Sequence, residues 1–318
     1  MNQLEQLRQF SIVVADTGDA EQIQEFKPTD VTTNPSLILK AAQLPETQAI
    51  IRDCIMQAKA DNESNWQDDA IDRLAVEFGV SLLQRVPGYV STEVNARLSF
   101  DTQAMIDNAK RLLAYYVQRG VNTDRVLIKL AGTYEGIQAA KQLEAEGIKC
   151  NVTLVFHATQ AIAAAQAGVF LISPFVGRIQ DWYKQQGSLP TEPNLDPGVQ
   201  SVKSIYAYFK KHKYSTIVMA ASFRNANQIT QLAGCDRLTI SPSLLADLAT
   251  SDEPIENTML DNITQPIIDD STGINEENFR WAVSNDPMTN EKLSEGIRLF
   301  YRDHQNLKTM LVNNIVAN

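Results

Sequence analysis

The sequence predicts an α/β fold, a closed (β/α)8 TIM barrel with additional N-terminal and C-terminal helices. Three observations support this prediction. Eight short apolar runs have the length of strands, amphipathic patterns separate most of them, and seven of the eight runs carry polar residues at or near their carboxyl ends. A doubly wound open sheet is the alternative, but such a sheet usually has fewer strands and a glycine-rich phosphate turn.

The predicted strands are short, as expected for a barrel. They are residues 11–15, 30–34, 89–94, 126–131, 151–156, 169–174, 216–221 and 237–241. Eight such units fit one domain, residues 1–318, because no composition shift or linker divides the chain. We expect the barrel strands within about 11–241 and a mainly helical extension at about 242–318.

Helical patterns fill most of the gaps between strands. Before the last strand they cover residues 35–43, 68–83, 102–118, 136–146, 158–166 and 198–211. Residues 179–197 contain Gly and Pro and are expected to form a long loop over one end of the barrel. In the C-terminal extension, helices are expected at 243–249, 275–283 and 290–313, around a polar stretch at 252–271.

The fourth strand, 126–131, carries one lysine in an apolar run. Side chains alternate along a strand, so one face is fully aliphatic and Lys129 points to the opposite face, the barrel interior. A buried lysine is costly unless it is paired or neutral, and a neutral amine is a nucleophile for a carbonyl carbon. A structural ion pair, or a side chain that extends to solvent at the strand end, is the alternative.

Composition narrows the functional classes. The net charge of −10 and the pI of about 4.9 argue against nucleic-acid or membrane partners. Three cysteines without CxxC spacing predict free thiols, and the N-terminus lacks the pattern of a signal peptide. A cytoplasmic protein is therefore expected. The three histidines are scattered without metal-ligand spacing, so no metal site is expected.

Polar residues at the strand ends are expected to meet in one pocket, because barrel enzymes act at the carboxyl ends of their strands. The positions are Asp16, Thr32, Asn34, Glu93, Asn151, Thr153, Ser173, Ser222 and Arg224. Each one taken singly is also explained by a turn, a strand-end hydrogen bond or a helix N-cap. Their recurrence on so many strands, together with Lys129, favours a shared pocket.

The chemistry that fits these residues is covalent amine catalysis, in which Lys129 forms an imine with a ketone. Glu93 is the candidate for proton transfer at the imine carbon, with Thr153 holding the transferred water. Asp16 is the candidate base for a substrate hydroxyl during carbon–carbon cleavage. Asparagine side chains can bind the hydroxyls of a polyol. Arg178 and Arg224 follow late strands and predict an anionic ligand, with surface ion pairing as the alternative.

At this point the sequence resembles the transaldolases of the pentose phosphate pathway over nearly its whole length, in their longer bacterial form. Six collinear stretches carry the resemblance: VTTNPSL from Val31, VSTEVNARLSF from Val90, IKLAGTYEGI from Ile128, CNVTL from Cys150, LISPFVGR from Leu171 and MAASFR from Met219. The stretch that ends in Phe300, EGIRLF, also resembles the family.

The resemblance implies a lysine Schiff base and transfer of a dihydroxyacetone unit from sedoheptulose 7-phosphate to glyceraldehyde 3-phosphate. The products are erythrose 4-phosphate and fructose 6-phosphate. It implies catalytic roles for Lys129, Asp16, Glu93 and Thr153. Substrate binding is implied for Thr32, Asn34, Asn151, Ser173, Phe175, Arg178, Ser222 and Arg224. It also implies a homodimer and no organic cofactor or metal.

Four positions depart from the family pattern. They are Asn95, Gly132, Tyr134 and His157. None is a catalytic group, so these departures put substrate affinity and loop packing in question, but not the reaction. Phe175 stands where related fructose-6-phosphate aldolases tend to have tyrosine, which favours transfer over simple cleavage.

Three other functions compete with this interpretation. Another lysine-imine aldolase would release free dihydroxyacetone instead of transferring it. A pyridoxal-phosphate enzyme also uses lysine, but no glycine-rich phosphate cradle is evident in the sequence. A barrel that binds sugar phosphates without catalysis is expected to have lost Lys129, Asp16 or Glu93, and all three are present.

Overall fold

A closed barrel of eight parallel strands forms the centre of the molecule, and the computed structural model describes residues 1–61, 63–261 and 274–316. The strands are β1 (Ile12–Asp16), β2 (Asp30–Thr32), β3 (Val90–Glu93), β4 (Val126–Ala131), β5 (Cys150–Val155), β6 (Leu171–Pro174), β7 (Ile217–Ala220) and β8 (Arg237–Ile240). Each strand pairs with its neighbours in the sequence, and β1 pairs with β8 to close the barrel. The predicted fold class and all eight predicted strands are confirmed.

Helices surround the barrel and continue beyond β8. They are α1 (Gln3–Leu7), α2 (Gln22–Phe26), α3 (Pro35–Ala42), α4 (Gln48–Asp61), α5 (Trp66–Leu83), α6 (Thr102–Gln118), α7 (Tyr134–Ala145), α8 (Ala158–Gln166), α9 (Gly177–Gln185), α10 (Pro197–His212), α11 (Ala226–Thr230), α12 (Pro242–Thr250), α13 (Glu276–Asn285) and α14 (Pro287–Val316). Among the described residues, no helix is both long and apolar enough to cross a membrane.

Several helices differ from the prediction. The five-residue helices α2 and α11 were not predicted, and two differences are larger. Sequence reasoning missed α4, although its buried residues Ile51, Cys54, Ile55 and Ala58 follow the period of an amphipathic helix. The predicted loop at 179–197 is wrong in its first part, where α9 forms. This helix buries little apolar surface of its own, and contacts to α14 help to hold it, including the bond from Trp182 Nε1 to Glu291 Oε2 at 2.7 Å.

The C-terminal extension follows the prediction where it can be compared. Helices α12, α13 and α14 occupy the three expected positions, and residues 251–257 have no regular structure. Residues 262–271 of the predicted polar stretch lie outside the described residues. The helix α14 packs against α3, α5 and α9, so it crosses the end of the barrel where the strands terminate.

The two faces of β4 are occupied as predicted. Val126, Ile128 and Leu130 lie in the apolar core between the strands and the surrounding helices. Leu127 belongs to a separate apolar layer to which three other strands contribute Val14, Leu171 and Met219. This layer fills the barrel interior, and Lys129 stands on the same face of β4, two residues closer to the carboxyl end.

Strand register brings the predicted catalytic residues side by side. Glu93 pairs with Lys129, and Lys129 pairs with Asn151. One level closer to the carboxyl end, Ala131 pairs with Thr153. Immediately after Thr153 the pairing of β5 with β6 is irregular, with a register shift between Val152 and Val155. The polar residues therefore lie on neighbouring strands at the same end of the barrel.

Candidate active site

A cavity of about 380 Å³ opens at the carboxyl ends of the strands. Ten of the twelve predicted site residues line it: Asp16, Thr32, Asn34, Lys129, Thr153, Ser173, Phe175, Arg178, Ser222 and Arg224. The remaining two, Glu93 and Asn151, lie directly beside this cavity in the register around Lys129. The pocket predicted from the strand ends is therefore present, and the fold collects its residues from seven strands or the segments that follow them.

Lys129 is buried, with only 5% of its surface exposed. Its Nζ lies 3.3 Å from Oε2 of Glu93 and donates a hydrogen bond to the backbone carbonyl of Thr33 at 3.2 Å. The centroid of the Phe300 ring lies 6.0 Å from Nζ. The amine is thus held by one carboxylate and one carbonyl, and it still faces the cavity.

Glu93 ends β3 with its side chain buried. Burial raises the pKa of this carboxyl group, and the neighbouring Lys129 opposes the rise. Although Oε2 is within ion-pair distance of Lys129, it accepts no hydrogen bond of good geometry from the described residues. A carboxyl group with raised pKa and unused hydrogen-bonding capacity, next to an amine, is suited to proton transfer.

Asp16 ends β1 on the other side of the cavity. Burial raises its pKa, and Lys129 opposes the rise. Thr32 donates a hydrogen bond to Oδ1 of Asp16 at 2.8 Å, and its hydroxyl is also 2.6 Å from that of Thr239 on β8. This chain of hydroxyls fixes one carboxylate oxygen of Asp16.

Asn151, the register partner of Lys129 on β5, forms a polar pair with Ser173 on β6. Asn151 is fully buried, donates to the Ser91 hydroxyl at 3.1 Å and accepts from the Ser173 hydroxyl at 2.7 Å. Thr153, one level higher, is also fully buried and lines the cavity. Its hydroxyl has no hydrogen-bond partner among the described residues, so its hydrogen-bonding capacity is available to a molecule in the cavity.

Asn34 lines the cavity and also fulfils the structural role considered from the sequence. It is the N-cap of α3, and its side-chain oxygen accepts a hydrogen bond from the Leu37 amide at 3.1 Å. The cap fixes the orientation of the side chain at the cavity wall. A structural role and a place in the pocket are therefore compatible for this residue.

Arg178 lies between two aromatic rings at the second residue of α9. Its guanidinium carbon is 5.1 Å from the ring centroid of Phe175 and 5.3 Å from that of Phe300. Burial lowers the pKa of Arg178, and nearby Arg224 lowers it further. Within the described residues Nη1 has no hydrogen-bond partner, so this cation is well placed to receive an anion.

Arg224 follows β7 and completes a cationic corner of the cavity. Asp181 on α9 binds it, with Nη2 donating to Oδ2 at 2.8 Å. Ser222 has a left-handed backbone, with φ of 63°, which turns the chain sharply before Arg224. Gly177 is required beside this turn, because a Cβ there would lie 2.3 Å from the carbonyl oxygen of Ser222. The positive end of the α9 dipole points into the same corner.

Seven residues that line the cavity were not predicted as site residues: Ser36, Leu37, Ala221, Phe223, Thr239, Ser241 and Phe300. The side chains of two of them make contacts described above. Thr239 is on β8, the strand for which no polar end residue was predicted, and Phe300 is on α14. For Phe300 a signal existed, since it closes the family-like stretch that begins at Glu295. Its position above Lys129 depends on how α14 crosses the barrel, which strand periodicity does not indicate.

The four departures from the family pattern do not line this cavity. Asn95 caps the turn after β3 and contacts His304 on α14 at 3.3 Å. Tyr134 packs on Phe279, and His157 is the N-cap of α8. These residues therefore belong to the packing around the cavity and do not form its walls.

The fold and the site together indicate an enzyme of the α/β-barrel class, because the ends of the strands form a pocket lined by ionisable side chains. Residues 13–311 match the family model described as Transaldolase/Fructose-6-phosphate aldolase. A protein named Transaldolase from Shewanella amazonensis is 53% identical over 312 residues, which cover 98% of this chain and 98% of that protein. Another protein of that name, from Pseudoalteromonas atlantica, is 52% identical over 313 residues, again 98% of both chains.

The chain therefore belongs to the transaldolase/fructose-6-phosphate aldolase family. Similarity of this extent to proteins named Transaldolase supports the same function, that of a transferase. The resemblance noted from the six sequence stretches is confirmed.

Proposed function

We propose that the chain transfers a dihydroxyacetone unit from sedoheptulose 7-phosphate to glyceraldehyde 3-phosphate through an imine on Lys129. The observation that carries the proposal is the contact of Lys129 with Glu93 at 3.3 Å, in a cavity that also holds Asp16 and the cationic corner at Arg178. The products are erythrose 4-phosphate and fructose 6-phosphate.

In the first half-reaction, the unprotonated amine of Lys129 attacks the ketone carbon of the donor. Glu93 and a water molecule held by Thr153 carry protons to the carbinolamine oxygen, which leaves as water and gives a protonated imine. Asp16 then takes the proton of the hydroxyl group on the carbon that becomes the aldehyde. The carbon–carbon bond cleaves and the aldose phosphate leaves. The electrons of the bond remain on the three-carbon unit, which stays attached to Lys129 as an enamine.

The second half-reaction runs these steps in reverse with a different aldehyde. The enamine attacks the carbonyl carbon of glyceraldehyde 3-phosphate, and Asp16 returns its proton to the new hydroxyl group. Water then adds to the imine with help from Glu93 and Thr153, and the ketose phosphate is released. No net proton or electron is gained, so the cycle needs no oxidant or reductant, and the protonated imine on Lys129 serves as the electron sink.

Substrate binding is assigned by chemistry and position. Arg178, Arg224 and Ser222 form the phosphate site. This assignment is supported by the start of α9 and by the buried Nη1 of Arg178, which has no hydrogen-bond partner in the described part of the chain. The dihydroxyacetone hydroxyls are bound by the polar side chains of the cavity wall and floor, Thr32, Asn34, Asn151 and Ser173. Phe175 has no hydroxyl that could orient water at the enamine, which favours transfer over release of free dihydroxyacetone.

Trapping of the imine tests this proposal. The protein is incubated with fructose 6-phosphate, reduced with borohydride and mapped by mass spectrometry, with Lys149→Met as a control lysine variant outside the cavity. A three-carbon adduct on Lys129 is the expected result. A six-carbon adduct without any three-carbon adduct would show imine formation without cleavage and would contradict the role assigned to Asp16. Absence of any adduct on Lys129 in folded, ligand-bound protein would overturn the imine mechanism.

Three further features belong to the same proposal. The chain acts as one domain over residues 1–318, because α14 supplies Phe300 to the barrel cavity. It works in the cytoplasm, where its three buried free cysteines remain reduced. It forms a homodimer, as the resemblance implies, and light scattering of the purified protein would test this directly.

A further inference from the structure

The side chain of Gln160 is fully buried between the ends of β4 and β5. Its oxygen accepts hydrogen bonds from the amides of Phe156 at 2.8 Å and His157 at 3.0 Å. Its Nε2 donates to the carbonyl oxygens of Gly132 at 2.7 Å and Leu154 at 3.1 Å. One amide group thus makes four hydrogen bonds that join the backbone just after Thr153 to the end of β4.

The backbone that Gln160 holds is irregular. Leu154 has a left-handed conformation with φ of 56°, which is rare for a bulky residue. The pairing of β5 with β6 shifts at the same place, between Val152 and Val155. A bulge of this kind changes the direction of the neighbouring side chains and persists only when surrounding contacts hold it. The residue directly before Leu154 is Thr153.

The end of β4 contacts the same structure from the other side. The Gly132 amide donates to the Thr153 carbonyl at 2.6 Å. A Cβ added at Gly132 would lie 3.0 Å from both Nε2 of Gln160 and the Thr153 carbonyl oxygen, so these atoms would have to shift by a few tenths of an ångström. Glycine at this position, one of the departures noted in the sequence, leaves room for this contact.

The requirement for glutamine follows from the two halves of its amide. Gln160 is the third residue of α8, and the bond from its oxygen to the His157 amide belongs to the capping box of that helix. Glutamate would serve the capping box equally well. A carboxylate has no donor, however, for the carbonyl oxygens of Gly132 and Leu154. Helix capping alone therefore does not explain glutamine, whereas bracing the bulge does.

We propose that Gln160 is a positioning residue that braces the β5 bulge against the end of β4 and so directs the Thr153 hydroxyl into the active-site cavity. This inference rests on the role assigned to Thr153 under the proposed function. It adds a residue that lies outside the cavity wall but determines the geometry of the proton-transfer step.

The test is a double-mutant cycle with Gln160→Glu and Thr153→Val, assayed by steady-state transfer from fructose 6-phosphate to erythrose 4-phosphate. Thr153→Val is nearly isosteric and removes a hydroxyl that has no partner among the described residues. Gln160→Glu keeps the cap and removes the two donor bonds. A misplacement of about 1 Å at a reacting group can cost about 100-fold in rate, so we expect kcat of Gln160→Glu to fall about 10- to 100-fold. We expect KM to change less than about 2-fold, because the phosphate site is untouched.

Gln200→Glu is the matched control. Gln200 is also buried and donates to a backbone carbonyl, that of Asn194 at 2.8 Å, in the segment before α10. Gln200→Glu therefore also places a carboxylate in a buried position, but Gln200 does not line the active-site cavity. We expect lower thermal stability with an unchanged kcat. If Gln160→Glu does not fold, Gly132→Ala perturbs the same contact from β4 and is expected to lower kcat several-fold at constant KM.

Each outcome of the cycle decides the inference. If the double variant is no slower than Thr153→Val alone, Gln160 acts through Thr153, as proposed. If Gln160→Glu has the kcat of the wild type, or if the two effects multiply, the bracing role is overturned while the role of Thr153 stands. If Thr153→Val keeps the full kcat, the assigned role of Thr153 fails and the inference fails with it.

Discussion

Nζ of Lys129 lies 3.3 Å from Oε2 of Glu93, and both side chains are almost completely buried. Transfer of two charges from water to such a site costs several kcal/mol per ion, and the pair recovers this only in part. Burial raises the pKa of Glu93, which favours its neutral form, and Lys129 opposes the rise. Under the proposed function, this buried contact places the attacking amine next to the group assigned to proton transfer.

Replacement of Glu93 by glutamine is expected to lower kcat about 100- to 10,000-fold, the range for loss of a general acid–base group. Glutamine keeps the volume of the side chain but cannot exchange the proton of Lys129 or of the carbinolamine. Steady-state kcat and the single-turnover rate of imine formation measure the effect. Glu77→Gln, at a half-buried carboxylate on α5, serves as the control. A Glu93→Gln variant with kcat within about 3-fold of the wild type would contradict the assigned role.

Replacement of Asp16 by asparagine is expected to raise stability while it abolishes most activity. Burial raises the pKa of Asp16 above its usual 3.8. Its contribution to stability is therefore complete below that value and is lost as the pH rises through the folded-state pKa. At pH 7.5 asparagine avoids the cost of burying a charge. We expect the free energy of unfolding to rise by about 1 kcal/mol, a typical gain when a functional residue is replaced by one that suits the fold better.

The pH dependence separates this explanation from a general packing effect. Thermal unfolding at pH 5 and pH 7.5 should show a larger gain for Asp16→Asn at the higher pH, because a raised pKa in the folded state makes the wild type lose stability as the pH rises. The exposed Asp247 provides the control substitution, Asp247→Asn, with no expected change. Equal stability of Asp16→Asn and wild type at both pH values would show that charge burial at Asp16 is not a significant cost.

The barrel and the strand-end residues were predictable because both depend on local patterns. The alternation in β4 alone placed Lys129 on the interior face, and a family resemblance supplied the roles of its neighbours. Phe300 was missed because its place depends on the path of α14. Gln160 was missed for a different reason: its hydrogen bonds go to backbone atoms at a bulge, and a left-handed Leu154 has no sequence signature comparable to glycine.

Replacement of Arg178 by methionine tests the phosphate site. Methionine preserves contact with the Phe175 and Phe300 rings but removes the charge, so we expect KM for glyceraldehyde 3-phosphate to rise at least about 10-fold. With unphosphorylated glyceraldehyde, KM should change little, because that acceptor has no phosphate to bind. Arg280→Met removes an exposed, ion-paired arginine and is the control. Equal losses for both acceptors would assign Arg178 to the structure of the pocket instead of phosphate recognition.

At the opposite end of the barrel, Arg237 at the start of β8 pairs with Asp30 at the start of β2, and both side chains are buried. Removal of one member of such a pair costs about 3–5 kcal/mol, since it leaves a buried charge without a partner. We expect Arg237→Met to lose stability in this range by urea unfolding. Burial already raises the pKa of Asp30 against the attraction of Arg237, so loss of the arginine should raise it further. The stability loss should therefore be smaller at pH 5 than at pH 8.

The double variant Arg237→Met/Asp30→Leu should recover part of the loss in stability. In all folded variants kcat should stay unchanged, because the pair is remote from the carboxyl ends of the strands. A fall in kcat for folded Arg237→Met would mean that the two ends of the barrel are coupled.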